Sequence, residues 1–156
     1  MGKYIARMTA VDQQTASSLG ILFRQVRDAM WARMAEELVR RGHELTFSQY
    51  ITLKRLAHGA ASASELARAA DLNPGAMTRL IDRLAEKGLV ERSADASDRR
   101  SVHVALTEEG ERIWREVNRC GQRVRELAMG GLSEAERAEL TRLLQQVRDN
   151  LSPSGS

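Results

Sequence analysis

The sequence is poor in the residues that characterise secreted, membrane-spanning and all-β proteins. It has one cysteine, Cys120, in 156 residues, which excludes an internal disulfide and is typical of a reducing cytoplasm. Two prolines and an aromatic content of 4% favour helices over a β-sandwich. No apolar run is long enough to cross a bilayer, and the first residues lack the apolar core of a signal peptide. We therefore expect one cytoplasmic domain with no membrane association.

The charge of the chain is only mildly basic, with 24 Lys and Arg against 21 Asp and Glu and a formal net charge of +3. Arginine supplies 21 of the 24 cations, and its forked guanidinium suits phosphate and carboxylate partners. Residues 59–106, which carry the motifs described below, are balanced at 7 cations and 7 anions. The net charge alone therefore does not identify a nucleic-acid-binding protein.

Apolar residues recur every three or four positions along most of the chain, which predicts six helices. Side-chain caps mark their starts, because serine, threonine and asparagine are followed by the residues that complete a cap. The predicted helices run from about Gln14 to Arg41, from Thr46 to about His58, from Ser62 to Ala70, from Asn73 to a stop at Gly88, from Thr107 to a break at Gly130, and from Ser133 to Leu151.

Two short stretches between the fourth and fifth helices alternate apolar and polar residues and are predicted to be strands, at 89–92 and 102–106. The polar segment between them is then the tip of a hairpin. A short helix, a turn around Asp71-Leu72, a second helix and this hairpin make a winged helix-turn-helix. The predicted fold class is mainly α (α+β winged helix), with six helices and a two-stranded β-wing.

The second helix of this unit suits the major groove of DNA, which is about as wide as a helix. Small residues in its first turn let the backbone approach phosphates, and the amides of its N-terminus favour an anion. Further along, Thr78 and Arg79 are placed to reach base edges, and Arg83 follows one turn later. The predicted DNA contacts of this helix are Asn73, Gly75, Ala76, Thr78, Arg79 and Arg83.

The hairpin tip carries Arg99 and Arg100, one of which would enter the narrow, electronegative minor groove. Asp98 is placed to hold that arginine through a forked pair. Two less specific interpretations stay open, because helix-turn-helix pairs also occur in structural bundles and charged runs also occur in solvated turns. The hairpin directly behind the second helix favours DNA binding over both.

Residues 78–92 (TRLIDRLAEKGLVER) and 98–110 (DRRSVHVALTEEG) resemble the MarR family of bacterial transcriptional regulators. The resemblance covers about Leu19 to Leu151. It implies an obligate homodimer formed by the N- and C-terminal helices, with recognition helices in successive major grooves and wings in the flanking minor grooves. It also implies that the family's Asp-x-Arg wing motif falls on Asp98 and Arg100, so that Arg100 enters the minor groove and Arg99 contacts a phosphate. Members of the family typically repress nearby genes and release DNA when a small, often aromatic and anionic, ligand binds.

The residues support a homodimer independently of the resemblance. The first and last helices carry apolar stripes that a small winged unit cannot cover, and a symmetric dimer is the commonest solution. Two recognition helices on a two-fold axis predict a pseudo-palindromic operator in double-stranded DNA, with half-sites about one helical turn apart. We therefore divide the single domain, 1–156, into dimerisation helices at 14–45 and 108–151 and a DNA-binding lobe at 46–107.

An effector site is predicted on the first helix, where Arg24, Arg27 and Trp31 are spaced by three and four residues. Two guanidinium groups beside an indole suit an aromatic carboxylate, through ion pairing and ring stacking. The resemblance implies a ligand pocket that borders this helix. The alternative is a solvated or inter-subunit arginine pair beside a core tryptophan.

Other chemistry has little support in the sequence. Cys120 falls on the apolar stripe of the fifth helix, where a cysteine packs as a small hydrophobic residue, although a redox role stays open. The three histidines lack zinc-type spacing, and the chain has neither a glycine-rich phosphate loop nor a nucleophile elbow. We predict no cofactor, no metal site and no enzymatic activity.

The predicted function is sequence-specific, ligand-responsive regulation of transcription, as a repressor released from its operator by a small aromatic acid. The alternative is a ligand-independent architectural or activating protein that binds DNA largely through phosphates. A small helical enzyme or protein-interaction module ranks last, because the residues of a catalytic site are missing.

Overall fold

The computed structural model describes the backbone of residues 10–94 and 102–152, and the side chains of residues 18–93 and 102–152. The helices of these segments are α1 (Ala10–Arg40), α2 (Phe47–Leu56), α3 (Ala63–Ala70), α4 (Pro74–Glu86), α5 (Glu108–Ala128) and α6 (Glu134–Leu151). The strands are β1 (Ala61–Ser62), β2 (Val90–Ala94) and β3 (Val102–Leu106). The predicted fold class, a mainly helical winged helix with six helices, is confirmed.

Side-chain caps define the starts of the helices after α1. Three helices, α2, α3 and α6, begin with a capping box. In each box the side chain of the cap residue (Thr46, Ser62 or Ser133) accepts a hydrogen bond from the backbone N–H of the residue three positions later. The side chain of that later residue in turn accepts a hydrogen bond from the backbone N–H of the cap residue. Asn73 and Thr107 cap α4 and α5 through their side chains. The predicted starts of these five helices are therefore confirmed, whereas α1 begins at Ala10 and not near Gln14.

The sheet has three antiparallel strands in the order β1-β3-β2, one more than the two-stranded wing that the sequence predicts. The additional strand is β1, whose Ala61 and Ser62 pair with Val104 and His103. Two residues are too few to show the alternation of a strand, so β1 exists only because the chain between α2 and α3 passes beside β3. The second strand also runs on to Ala94, beyond its predicted end.

Two clusters of buried side chains hold these elements together. The larger cluster joins α2, α3, α4 and the sheet, and Leu53, Leu66, Met77 and Leu84 have no exposed surface in it. The smaller cluster joins α1 to α5. Cys120 lies in the smaller cluster and is fully buried, as its place on the apolar stripe of α5 predicts.

The apolar side chains of α6, and those of α1 from Leu19 to Met30, lie outside both clusters. Among the described residues, α6 contains no buried side chain. Among the described side chains, the exposed large apolar residues of the two helices are Leu19, Ile21, Leu22, Phe23, Val26, Met30, Val39, Leu140, Leu143, Leu144 and Leu151. Within residues 10–94 and 102–152, no helix combines the length and the apolar character needed to cross a membrane.

The start of α5 is held directly against the junction between α4 and β2. The backbone N–H of Thr107 donates to the carbonyl of Leu89 at 3.1 Å, and its hydroxyl donates to the carbonyl of Gly88 at 2.6 Å. The same hydroxyl oxygen accepts from the N–H of Gly110 at 3.0 Å. A Cβ at position 110 would overlap the carbonyl oxygen of Leu89. This close approach of two backbone segments therefore requires glycine.

We predict that Gly110→Ala lowers the free energy of unfolding by about 1–3 kcal/mol, the usual cost of overpacking a tight contact. Urea unfolding followed by circular dichroism measures the change. The control is Glu111→Ala, at the exposed next position, which should change the stability by less than about 1 kcal/mol. Equal stability of the two variants would contradict the close approach.

Candidate nucleic-acid interface

A tight turn joins α3 to α4 and sets the two helices as a helix-turn-helix. Asp71 ends α3 in the left-handed conformation, with φ 53°, which aspartate tolerates better than most residues. The N–H of Leu72 donates to the carbonyl of Ala67 at 2.9 Å, and Asn73 then caps α4. The turn therefore lies at Asp71-Leu72, where the sequence places it.

The first turns of α4 are built from small and capping residues. The Asn73 side-chain oxygen accepts from the N–H of Ala76 at 2.8 Å, and Pro74 occupies the first helical position. A Cβ at Gly75 would lie 3.7 Å from the Nη1 atom of Arg79, so the Arg79 guanidinium lies over this glycine. The Thr78 hydroxyl donates to the Pro74 carbonyl at 3.0 Å. Its oxygen keeps lone pairs that can accept a hydrogen bond from a base.

The two faces of α4 have opposite characters. Met77, Leu80, Ile81 and Leu84 are buried in the larger cluster. On the other face the side chains of Thr78, Arg79 and Arg83 and the backbone at Gly75 are exposed, and Ala76 is half-buried. The predicted contacts of this helix therefore share one exposed surface.

That surface carries the positive charges of Arg79 and Arg83. Among the residues whose side chains are described, neither Arg79 nor Arg83 has a carboxylate within ion-pair distance. Both arginines line a groove of about 360 Å³ between α2 and α4, to which Thr46 and Ser48 add hydroxyl groups. Two arginines of this kind, one near the first turns of α4 and one in its last turn, can bind phosphates and base edges.

Behind α4, β2 and β3 pair from Val90↔Leu106 to Ala94↔Val102 and form the base of the wing. Arg92 of β2 donates to the carboxylate of Asp82 on α4 at 2.6 Å. This ion pair was not predicted, because neither residue belongs to a motif that marks them as partners. The predicted wing-tip contacts Asp98, Arg99 and Arg100 lie outside the described residues.

A cavity of about 390 Å³ lies between α1, α2 and α5. Of the predicted effector residues, Arg27 and Trp31 line it, whereas Arg24 is not among its lining residues. The Trp31 ring contacts Phe47 at a centroid distance of 5.1 Å and Tyr50 at 5.9 Å. The lining residues are Phe23, Val26, Arg27, Met30, Trp31, Met34, Phe47, Tyr50, Lys54, Gly121 and Val124.

The two cations that line this cavity, Arg27 and Lys54, are exposed, whereas Tyr50 is half-buried. Arg27 is exposed and donates to the neighbouring Asp28 through Nε at 3.0 Å and Nη2 at 2.8 Å. Burial raises the pKa of the Tyr50 hydroxyl, an effect that the charge of Arg125 partly offsets, so Tyr50 stays a neutral hydrogen-bonding group. Sequence reasoning missed Tyr50 and Lys54. Tyr50 follows Phe47 by three residues and Lys54 follows Tyr50 by four, a spacing that marks one face of α2, but only the fold places that face against α1.

A partly buried hydrogen bond joins the turn after α1 to α5. The Nε2 atom of His43 lies 2.7 Å from a carboxylate oxygen of Glu116, and Arg112 donates to the other oxygen at 2.9 Å. The His43 hydrogen bond, with the nearby arginines, holds the pKa of Glu116 below its usual value. Within the described segments, no group of three or more His, Cys, Asp or Glu side chains could hold a metal ion.

Comparison with known proteins identifies relatives that match most of the chain. Residues 45–102 match the model of the MarR family. The chain is 34% identical over 113 residues to the HTH-type transcriptional repressor NicR of Pseudomonas putida, a match that covers 72% of each protein.

Solved structures of the family have the same fold. Bordetella bronchiseptica BpsR, whose structure concerns regulation of DNA binding by 6-hydroxynicotinic acid, has a TM-score of 0.71 at 27% identity and covers 84% of this chain and 98% of its own. A cysteine-to-serine variant of Escherichia coli MarR, complexed with operator DNA, has a TM-score of 0.71 at 30% identity, with coverages of 83% and 93%. A MarR family protein of Bacillus stearothermophilus has a TM-score of 0.76 at 28% identity, with coverages of 89% and 96%. The chain therefore belongs to the MarR family and is a DNA-binding transcriptional regulator of the winged helix-turn-helix type.

Proposed function

We propose that this regulator is a homodimeric repressor that binds a pseudo-palindromic operator and releases it when a small aromatic acid binds. The observation that carries the proposal is the exposed face of α4, where Arg79 and Arg83 have no carboxylate partner among the described side chains. NicR is named as a repressor, and the BpsR structure concerns DNA binding regulated by 6-hydroxynicotinic acid. These relatives support repression and an aromatic-acid effector.

Base recognition is assigned to the first two turns of α4. The Arg79 guanidinium forms two hydrogen bonds to a guanine edge, the commonest specific contact in the major groove. The Thr78 hydroxyl accepts a hydrogen bond from a neighbouring base, and Arg83 binds a phosphate. From the sequence motif, Arg100 enters the minor groove, Asp98 orients it and Arg99 binds a phosphate.

The dimer is assigned to the exposed apolar surfaces of α1 and α6. Leu140, Leu143 and Leu144 are each exposed by 37–44%, which is unfavourable for a large apolar side chain in water. A second copy of the chain covers both helices about one two-fold axis. The same axis sets the separation of the two recognition helices, and hence the spacing of the operator half-sites.

The effector is assigned to the cavity between α1, α2 and α5. Its aromatic and apolar walls suit a planar ring, and its Arg27 and Lys54 supply cations for the carboxylate. Arg24, one helical turn before Arg27, is the third candidate. A ligand there changes the separation of the two recognition helices. Because both must bind at once, a small error in spacing removes the advantage of bivalent binding.

Two substitutions on α4 test the assignment of base and phosphate contacts. We predict that Arg79→Ala costs about 1–3 kcal/mol of operator binding and relaxes the base preference, whereas Arg83→Ala weakens binding to all sequences and lowers the salt slope by about 1. Fluorescence anisotropy on a duplex selected from random DNA, repeated over a salt series, measures both. The control Arg33→Ala removes an exposed arginine that pairs with Glu36 on α1 and should leave the slope unchanged. Equal affinity of the wild type for unrelated DNA would favour the architectural alternative.

A second prediction concerns the dimer. Leu144→Glu places a charge in the proposed interface and should shift the protein from dimer to monomer at micromolar concentration. Sedimentation velocity distinguishes the two states, and Gln145→Glu adds the same charge at the next position as a control. A wild-type protein that sediments as a monomer contradicts the proposal directly.

A third prediction concerns the effector. We expect 6-hydroxynicotinic acid to weaken operator binding by the wild type, and the double variant Arg24→Ala, Arg27→Ala to lose this response. The single variants show which arginine binds the carboxylate, because only Arg27 lines the cavity within one chain. Thermal stabilisation that grows with ligand excess provides a second readout. If the double variant responds to the ligand as the wild type does, these arginines do not bind the effector.

A further inference from the structure

The ion pair between α4 and β2 joins the helix that the proposed function places in the major groove to the strand that leads into the wing. Asp82 lies in the middle of α4, three residues after Arg79, and Arg92 is the third residue of β2. The Nη2 atom of Arg92 and the carboxylate of Asp82 are 2.6 Å apart, a short charge-assisted hydrogen bond. The two side chains keep 39% and 52% of their surface exposed, so the pair lies at the edge of the DNA-facing surface and not in the core.

The connection from α4 to β2 is already rigid without this pair. Gly88 adopts a positive φ of 73°, and the N–H of Leu89 donates to the carbonyl of Leu84 at 3.0 Å. Leu89 and Val90 are buried in the larger cluster. Because an exposed ion pair contributes little to folding stability, its removal should leave the fold intact. The effect of the pair is therefore expected in DNA binding.

The pair controls which charges on this surface are available to DNA. An unpaired Asp82 carboxylate would repel phosphates and attract the guanidinium of Arg79, which lies one turn away on the same helix. An unpaired Arg92 guanidinium would bind a phosphate of any sequence, because phosphate contacts carry no sequence information. In the pair, each charge is neutralised by the other.

We propose that the Asp82–Arg92 pair is a specificity-determining element, which withholds Arg92 from the DNA backbone so that recognition rests on α4 and the wing tip. This inference depends on the proposed DNA-binding function. In this proposal Asp82 does not contact DNA. Its carboxylate instead lowers the affinity for unrelated DNA, because it holds Arg92 away from the phosphates.

The test is the binding of Asp82→Asn to a selected operator and to unrelated duplex DNA over a salt series. Release of Arg92 should add one phosphate contact, which steepens the dependence of log affinity on log salt by about 0.9. When the salt concentration rises from 50 to 200 mM, the affinity of Asp82→Asn for unrelated DNA should then decrease by a factor about 3.5 times larger than the decrease for the wild type. The ratio of operator to unrelated-DNA affinity should decrease at low salt.

Two further variants separate this role from a general charge effect. Glu86→Gln removes an exposed carboxylate from the same helix without releasing an arginine, and its salt slope should equal that of the wild type. The double variant Asp82→Asn, Arg92→Gln should return to the wild-type slope, because the released guanidinium is absent. Thermal unfolding of each variant measures whether the fold is retained.

The proposal is overturned if Asp82→Asn binds unrelated DNA with the affinity and slope of the wild type. It is also overturned if Arg92→Gln alone lowers the slope by about 1, since Arg92 would then already contact a phosphate in the wild type. Both outcomes differ from failure of the proposed function, in which the wild type selects no operator from random DNA.

Discussion

The packing of one face of α4 into the winged-helix core is the constraint on which the rest of the structure depends. Met77, Leu80, Ile81 and Leu84 are buried along the whole length of the helix, and each such side chain contributes about 1.5–3 kcal/mol. The opposite face is therefore held rigidly outward, with the Asn73 cap at its start. A recognition helix needs this rigidity, since base contacts tolerate only small errors in position.

Helix α5 connects this helix to the rest of the molecule. Its start rests on the carbonyl of Leu89 at the junction between α4 and β2, through the contacts of Thr107 and Gly110. Its middle packs on α1 around Cys120, and its Gly121 lines the cavity between α1 and α2. Because protein interiors are close-packed, a displacement of α1 by the proposed effector would move α5, and with it the junction that follows α4.

The pattern of ion pairs shows that the balanced charge of residues 59–106 is not evenly distributed over their surface. Residues 59–106 carry 7 cations and 7 anions, yet Asp82 is paired with Arg92, and Glu65 with the nearby Arg55. Hydrogen bonds from the backbone and hydroxyl of Ser62, and after them the nearby arginines, hold the pKa of Glu65 below its usual value, so its charge is retained in the capping box. Arg79 and Arg83 are left without partners among the described side chains. A count of charges along the sequence does not reveal this segregation, because it depends on which side chains meet in space.

The sequence by itself determined the helices after α1, the turn at Asp71-Leu72 and the buried face of α4, because each depends on interactions within about four residues along the chain. The MarR signature at 78–110 likewise predicted the winged unit correctly. The tertiary structure alone decided the strand β1, the cavity behind Trp31 and the pairing of Asp82 with Arg92. These features join residues from separate elements, and their partners are chosen by how the helices pack, which leaves no periodic trace in the sequence.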